Sequence, residues 1–159
     1  MIEIPDFLIP GTKNHIGEHL FEPESIIRFA KKYDPQPFHI DAIAAKESLL
    51  GGLCASGWHT GSVWMALQRK HVAKNNQRLK DEGKPIAAFG PSPGMKYMKW
   101  LKPVFAGNTI SFSNLVKEMR QSNSRPQWWL ITTQSYGYNQ NNAQVFELES
   151  TAFLQIKQG

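Results

Sequence analysis

The segment CASGWHTGSVWMALQRKHVAK, Cys54 to Lys74, decides how the rest of the chain must be arranged. Trp58, Gly61, Met65 and Val72 recur in it at helical spacing, which predicts one long helix carrying an apolar or small stripe. Its first half holds Gly57 and Gly61, each costing about 1 kcal/mol against alanine in a helix interior. Such a loss is tolerated where another backbone or a ligand must come close.

On the C-terminal side of this helix, a polar loop is expected around Asn75 to Lys84, and then the hydrophobic period changes to two. Ile110 and Phe112, then Trp129, Ile131 and Thr133, then Phe146, Leu148, Ser150, Ala152, Leu154 and Ile156 alternate as strands with one buried face do. Asn139 to Asn142 reads as the hairpin turn between the last two strands. On the N-terminal side, a polar strand is expected over Thr12 to Phe21. Pro23 opens a helix whose apolar face is Ile26, Phe29, Ala30 and Tyr33. That helix must stop at Asp34, because Pro35 and Pro37 lack backbone donors and bias their predecessors away from helix; Tyr33 to His39 is therefore expected to be a stiff, irregular loop. Asp41 then offers an N-cap to a short helix through Glu47, ended by Gly51-Gly52. The order is strand, two short helices, a long helix and four antiparallel strands. This predicts an α+β fold, with a sheet against one central helix. The open sheet edges favour pairing with a second copy.

With 159 residues, 41% of them hydrophobic and 19% charged, residues 1–159 are expected to fold as a single domain. Two runs of 21 residues, Ser48 to Gln68 and Pro126 to Phe146, contain no Asp, Glu, Lys or Arg. Neither reads as a membrane span, because the first is rich in glycine and the second passes through Thr132, Thr133 and Gln134 into Asn139. The lone Cys54 excludes an internal disulfide, and the first residues lack the basic start and apolar core of a signal peptide, so a cytosolic location is the expectation. The net charge of +5 is compatible with an anionic partner, phosphates on a coenzyme included. No zinc-finger, helix-turn-helix or RNA-binding aromatic pattern accompanies the basic clusters at Arg69 to Lys80 and at Lys96, Lys99 and Lys102, and no nucleic-acid partner is implied.

Chemistry concentrates between Tyr33 and Asp41. The loop holds a carboxylate, Asp34, and an imidazole, His39, which can pass a proton near neutral pH if the chain bends to bring them together. The prolines restrict the loop without forcing that bend, and on spacing alone Asp34 can equally cap a turn while His39 packs in a half-buried place. The stretch Asp34-Pro35-Gln36-Pro37-Phe38-His39 resembles the Asp-x-Asn-Pro-x-His signature of the MaoC-like dehydratases, the family of the (R)-specific enoyl-CoA hydratases. The likeness continues through Ile40, Asp41, Ala44 and Ala45 to Gly51-Gly52 and Gly57, and loosely to Lys102-Pro103-Val104 and Gly107-Asn108-Thr109-Ile110. It implies a hot-dog domain, a curved antiparallel sheet wrapped around a long central helix. It also implies reversible hydration of a trans-2-enoyl thioester such as an acyl-CoA. Asp34 and His39 match the family's water-activating pair, and Gly57 matches the glycine whose N–H binds the thioester oxygen; a homodimer or a multiple of dimers is implied as well.

Gln36 stands where the family usually has asparagine, which keeps the amide on a longer arm. Phe38, Trp58 and Trp64 either shorten an acyl pocket or belong to the core. Cys54 reads as a small buried residue, and His59 is either packed or turned to substrate. No metal-ligand set or cofactor motif is present in the sequence, and no cofactor is implied. A hot-dog thioesterase or a carrier-protein dehydratase commonly uses an acid on the central helix, where Ser48 to Gln68 supplies none. A non-catalytic acyl-CoA-binding subunit would need neither Asp34 nor His39.

Overall fold

The computed structural model describes residues 2–159. After a short 3-10 turn at Asp6–Leu8 come β1 (Lys13–Leu20), α1 (Pro23–Tyr33), α2 (Pro37–Ile40), α3 (Ala42–Glu47) and α4 (Gly57–Asp81). The second half is β2 (Ile86–Phe89), β3 (Gly94–Trp100), β4 (Thr109–Gln121), β5 (Trp129–Tyr138) and β6 (Gln144–Lys157). The antiparallel sheet runs β1-β4-β5-β6, and the far side of β6 pairs with β3 along its first half and with β2 along its end. Bulges in β1 and β4 curl the sheet so that its concave face wraps α4. Gly17 sits in the β1 bulge at φ +140°, where a Cβ would press on Leu67 of α4; only glycine lets strand and helix approach there. A curved sheet around a long helix is the expected hot-dog arrangement.

The differences from expectation lie mostly in α4. Cys54 is not helical, since Leu53 to Ala55 run extended against Val104 to Ala106. The helix starts at Gly57 because the Ser56 hydroxyl accepts from the Trp58 N–H and caps it. It then runs through the expected loop to Asp81. Its polar side tolerates water, while Val72 and Leu79 stay buried and the Asn76 amide clips both backbone groups of Ala87. The buried stripe is Thr60, Gly61, Trp64, Val72 and Leu79, whereas Trp58 and Met65, expected within it, are exposed. Five strands follow the helix where four were expected, since β2 is too short to show a period. The basic residues Arg69 to Lys80 lie along α4, and Arg78 pairs with Asp6 and Glu82.

Candidate active site

Tyr33 to His39 is not irregular throughout. Asp34 leaves the helical region at φ −155° and ψ 69°, in keeping with the bias against helix at a residue before proline. Pro37, whose ring presets the helical φ, then opens the single turn α2 as its first residue. That turn supplies the bend the sequence left open. It swings His39 back until its Nε2 is 3.4 Å from Asp34 Oδ2.

Three further groups fix the pair. His39 Nδ1 donates to the Cys54 carbonyl at 2.6 Å, an acceptor that can only receive, so the proton of a neutral ring sits on Nδ1 and the Nε2 lone pair faces Asp34. Asp34 Oδ1 accepts from Gln36 Nε2 and Oδ2 accepts from the Ser56 hydroxyl, both at 2.7 Å. Burial works to raise the Asp34 carboxyl, but these hydrogen bonds and the nearby imidazole together outweigh it, and it titrates below its ordinary value. The carboxylate is thus ionised at neutral pH, and the neutral-ring tautomer of His39 turns its Nε2 lone pair towards it. Two acceptors so placed can both take hydrogen bonds from one water, and either can take its proton.

Gly57 is the first residue of α4, and its N–H has no acceptor among the described residues. An unpaired N–H at a helix N-terminus favours developing negative charge. The Trp100 indole lies across this glycine, with Nε1 donating to the Gly57 carbonyl at 2.9 Å, and a Cβ at position 57 would overlap the ring. His39, Cys54, Gly57, Thr60, Trp100 and Val104 line one pocket of about 260 Å³. Neither Asp34 nor Ser56 is on that lining; Asp34 reaches it through His39 alone. Of the three expected site residues, His39 and Gly57 line this pocket and Asp34 stands against His39 outside it. Ser56, fully buried, was not singled out, although a serine just before a helix-opening glycine is an N-cap signal.

The other candidates are structural. Burial pushes the Cys54 thiol up to about 11, so it carries no thiolate at neutral pH. His59 is buried, stacked on Phe29 with centroids 4.7 Å apart, and burial pushes it down to about 4, which keeps it a neutral packing group. Trp64 is core. Among the described residues, no three His, Cys, Asp or Glu side chains gather as a metal site would need, and no helix is long and apolar enough to cross a membrane.

This geometry can be set beside known proteins. The Bacillus subtilis protein YdeM is 26% identical over 131 residues, covering 82% of this chain and 84% of its own. The crystal structure of a MaoC-like dehydratase from Rhodospirillum rubrum superposes with a TM-score of 0.76 at 29% identity, covering 94% of each chain. An (R)-hydratase from A. caviae, described as involved in PHA biosynthesis, gives 0.64 at 18% identity over 97% of this chain and 99% of that one, a likeness of fold. The family model for the MaoC like domain matches residues 10–128, which take in the Asp34-His39 loop, the helix-opening Gly57 and the first four strands that enclose them. On that match, the chain belongs to the MaoC-like dehydratase family.

Proposed function

We propose that the protein catalyses the reversible hydration of a trans-2-enoyl thioester, carried by CoA, to the 3-hydroxyacyl thioester. The observation that carries this reading is the ionised Asp34 facing a His39 Nε2 whose tautomer the Cys54 carbonyl fixes. Water held by the two loses a proton to the pair as its oxygen bonds to the β carbon. The electron pair of the double bond shifts towards the thioester oxygen, where the Gly57 N–H donates. The α carbon then recovers a proton from the same pair, which closes the addition without any other reactant. The reverse sequence eliminates water. Purified protein is expected to remove the conjugated-thioester absorbance of crotonyl-CoA, and failure with every enoyl-CoA in a panel of lengths and branchings would refute the assignment. A thioesterase reading lacks its acid, because Asp81, at the far end, is the only acidic residue of α4.

Ser56 is a positioning residue in this scheme. A hydrogen bond to a charged group is worth about 1.5–3 kcal/mol, so Ser56→Ala is expected to lower kcat/KM by about tenfold or more. Losing a donor to the carboxylate raises the Asp34 pKa, which moves the acidic limb of the pH–rate profile to higher pH. Loss of the cap alone would lower the melting temperature and leave the limb in place.

A homodimer, or a multiple of dimers, is part of the proposal, with residues 1–159 acting as one domain in each copy. Trp58 and Met65 of α4 and Met95, Trp100 and Leu101 at β3 are exposed large apolar side chains, and β3 is a free strand edge beside them. A second copy seated there would roof the groove that holds Gly57 and Trp100. Sedimentation at micromolar concentration is expected to give a dimer-based mass, and a predominantly monomeric mass would defeat this part.

A further inference from the structure

The concave face of the sheet carries two apolar clusters under α4. One surrounds Phe21, Phe112, Phe146 and Leu148, and the other surrounds Val72, Leu79, Val116 and Leu154. A polar belt separates them. Asn14 of β1 pairs across strands with Asn114 of β4 and Asn114 with Ser135 of β5; one row on, Thr133 of β5 pairs with Ser150 of β6. Asn14 Nδ2 donates to Asn114 Oδ1, and Asn114 Nδ2 donates to Gln68 Oε1 of α4, both at 3.0 Å. This orientation leaves the Gln68 Nε2 hydrogens at the head of the amide chain with no acceptor among the described residues. The Ser135 hydroxyl is fully buried and unpaired. Leaving a buried hydroxyl unpaired costs roughly 1–3 kcal/mol, so packing alone does not account for Ser135 in the belt.

The belt floors a second cavity of about 550 Å³, with Asn14, Gln68, Asn114, Thr133 and Ser150 on its polar side and Trp64, Phe89, Val116 and Ile131 among its apolar walls. Small-molecule pockets usually measure roughly 300–1,000 Å³. The 260 Å³ pocket at His39 is short of that range and suits only the reacting end of a substrate. The second cavity has room for the remainder. Thr60 lines the first pocket and Trp64, one helical turn on, lines the second; between them the Met98 methyl packs about 3.5 Å from where a Cβ of Gly61 would stand. Gly61 puts no side chain in the way, and an unbranched thioether with three rotatable bonds is a movable partition. From Gly57 to Gln68 the helix advances about 16 Å. The ionisable lining residues are Arg69, which is exposed, and His71, and each already has a partner at the cavity wall. The Arg69 guanidinium lies 5.0 Å over the Phe89 ring and His71 Nε2 takes the Asn75 amide.

We infer that the cavity receives the far end of the acyl group, past a displaced Met98, and that the polar belt selects an acyl group bearing an uncharged oxygen function there, a hydroxyl or a carbonyl. The inference rests on the enoyl-thioester reading of the His39 pocket and names its substrate class. Its test uses trans-2-dodecenoyl-CoA and the ω-hydroxy derivative for turnover, and the two saturated analogues, which cannot react, for calorimetric binding. The ω-hydroxy compounds are expected to win by about tenfold in both kcat/KM and Kd, the value of one well-made hydrogen bond. Thr133→Val combined with Ser150→Ala is expected to erase that ratio, and Met98→Phe to lower the dodecenoyl-to-crotonyl ratio of kcat/KM by about tenfold. Equal binding of the plain and ω-hydroxy saturated compounds, or dodecanoyl-CoA binding no tighter than butyryl-CoA, would overturn the subsite whatever the turnover. A retained ω-hydroxy preference in binding with no turnover of any enoyl-CoA would support the subsite and sink the hydratase reading instead.

Discussion

Asp34→Asn and His39→Asn are each expected to reduce kcat for enoyl-CoA hydration by ~10²–10⁴, the range that a positioned acid-base group contributes. The first change keeps side-chain volume, and the second trims the imidazole to a smaller amide. Asparagine at 34 can still accept from Ser56 with its amide oxygen, but it carries no charge and can take no proton, so the water loses its strongest acceptor. Asparagine at 39 keeps a polar tip near the Cys54 carbonyl and removes the Nε2 base. Because the two groups stand 3.4 Å apart and would act on one water in the proposed reaction, neither should have its full effect without the other, and the double mutant should be little worse than the poorer single one. Folding should survive, since α1, α2 and the caps of α3 and α4 do not use the Asp34 charge; thermal melting and sedimentation would check this. Near-native turnover in either single mutant would dismiss the pair, and fully additive losses would mean that they act on different steps.

What the sequence made legible follows from the range of the interactions concerned. Periodicity and proline act within a few residues, so the end of α1 at Asp34, the Asp41 cap, the Asn139 turn and the long strands could be read directly. Asp41 accepts from Ile43 and Ala44, and Asn139 Oδ1 accepts from Asn141 and Ala143, as local side-chain chemistry dictates. The limits of α4 depended on distant partners. Its start is set by the strand-like pairing of Leu53 to Ala55 with Val104 to Ala106, and its last turns are held by Leu79 packing and by Asn76 reaching Ala87. The site was legible in part for the same reason. Asp34, His39 and Gly57 carry a motif, whereas the Ser56 contact crosses 22 residues and the placement of Trp100 over Gly57 crosses 43. The polar belt was invisible because alternation marks Asn14, Asn114, Thr133 and Ser150 as positions, and only the sheet register shows that they fall in two adjacent rows of the core.

Gly57 offers the second large effect, and the geometry dictates how it must be tested. A side chain at 57 overlaps the Trp100 indole before it meets any substrate, so a simple substitution would confuse a displaced tryptophan with a lost hydrogen bond. Trp100→Ala clears that space and serves as the reference. In that background, Gly57→Ala adds a Cβ and keeps the N–H, while Gly57→Pro adds a Cβ and removes the N–H. Proline is suited to this position, because 57 is the first residue of α4, where an N–H has no helical partner to lose. Ser56 before it already has φ −54° and ψ 140°, a conformation that a following proline permits. Charge builds on the thioester oxygen only as water adds, so the proline variant is expected to have kcat lower than the alanine variant by ~10²–10³, the usual loss for one oxyanion donor, with the Kd of saturated acyl-CoA changed far less. Equal kcat in the two variants would take the Gly57 N–H out of catalysis and leave glycine there for the close approach of Trp100 alone.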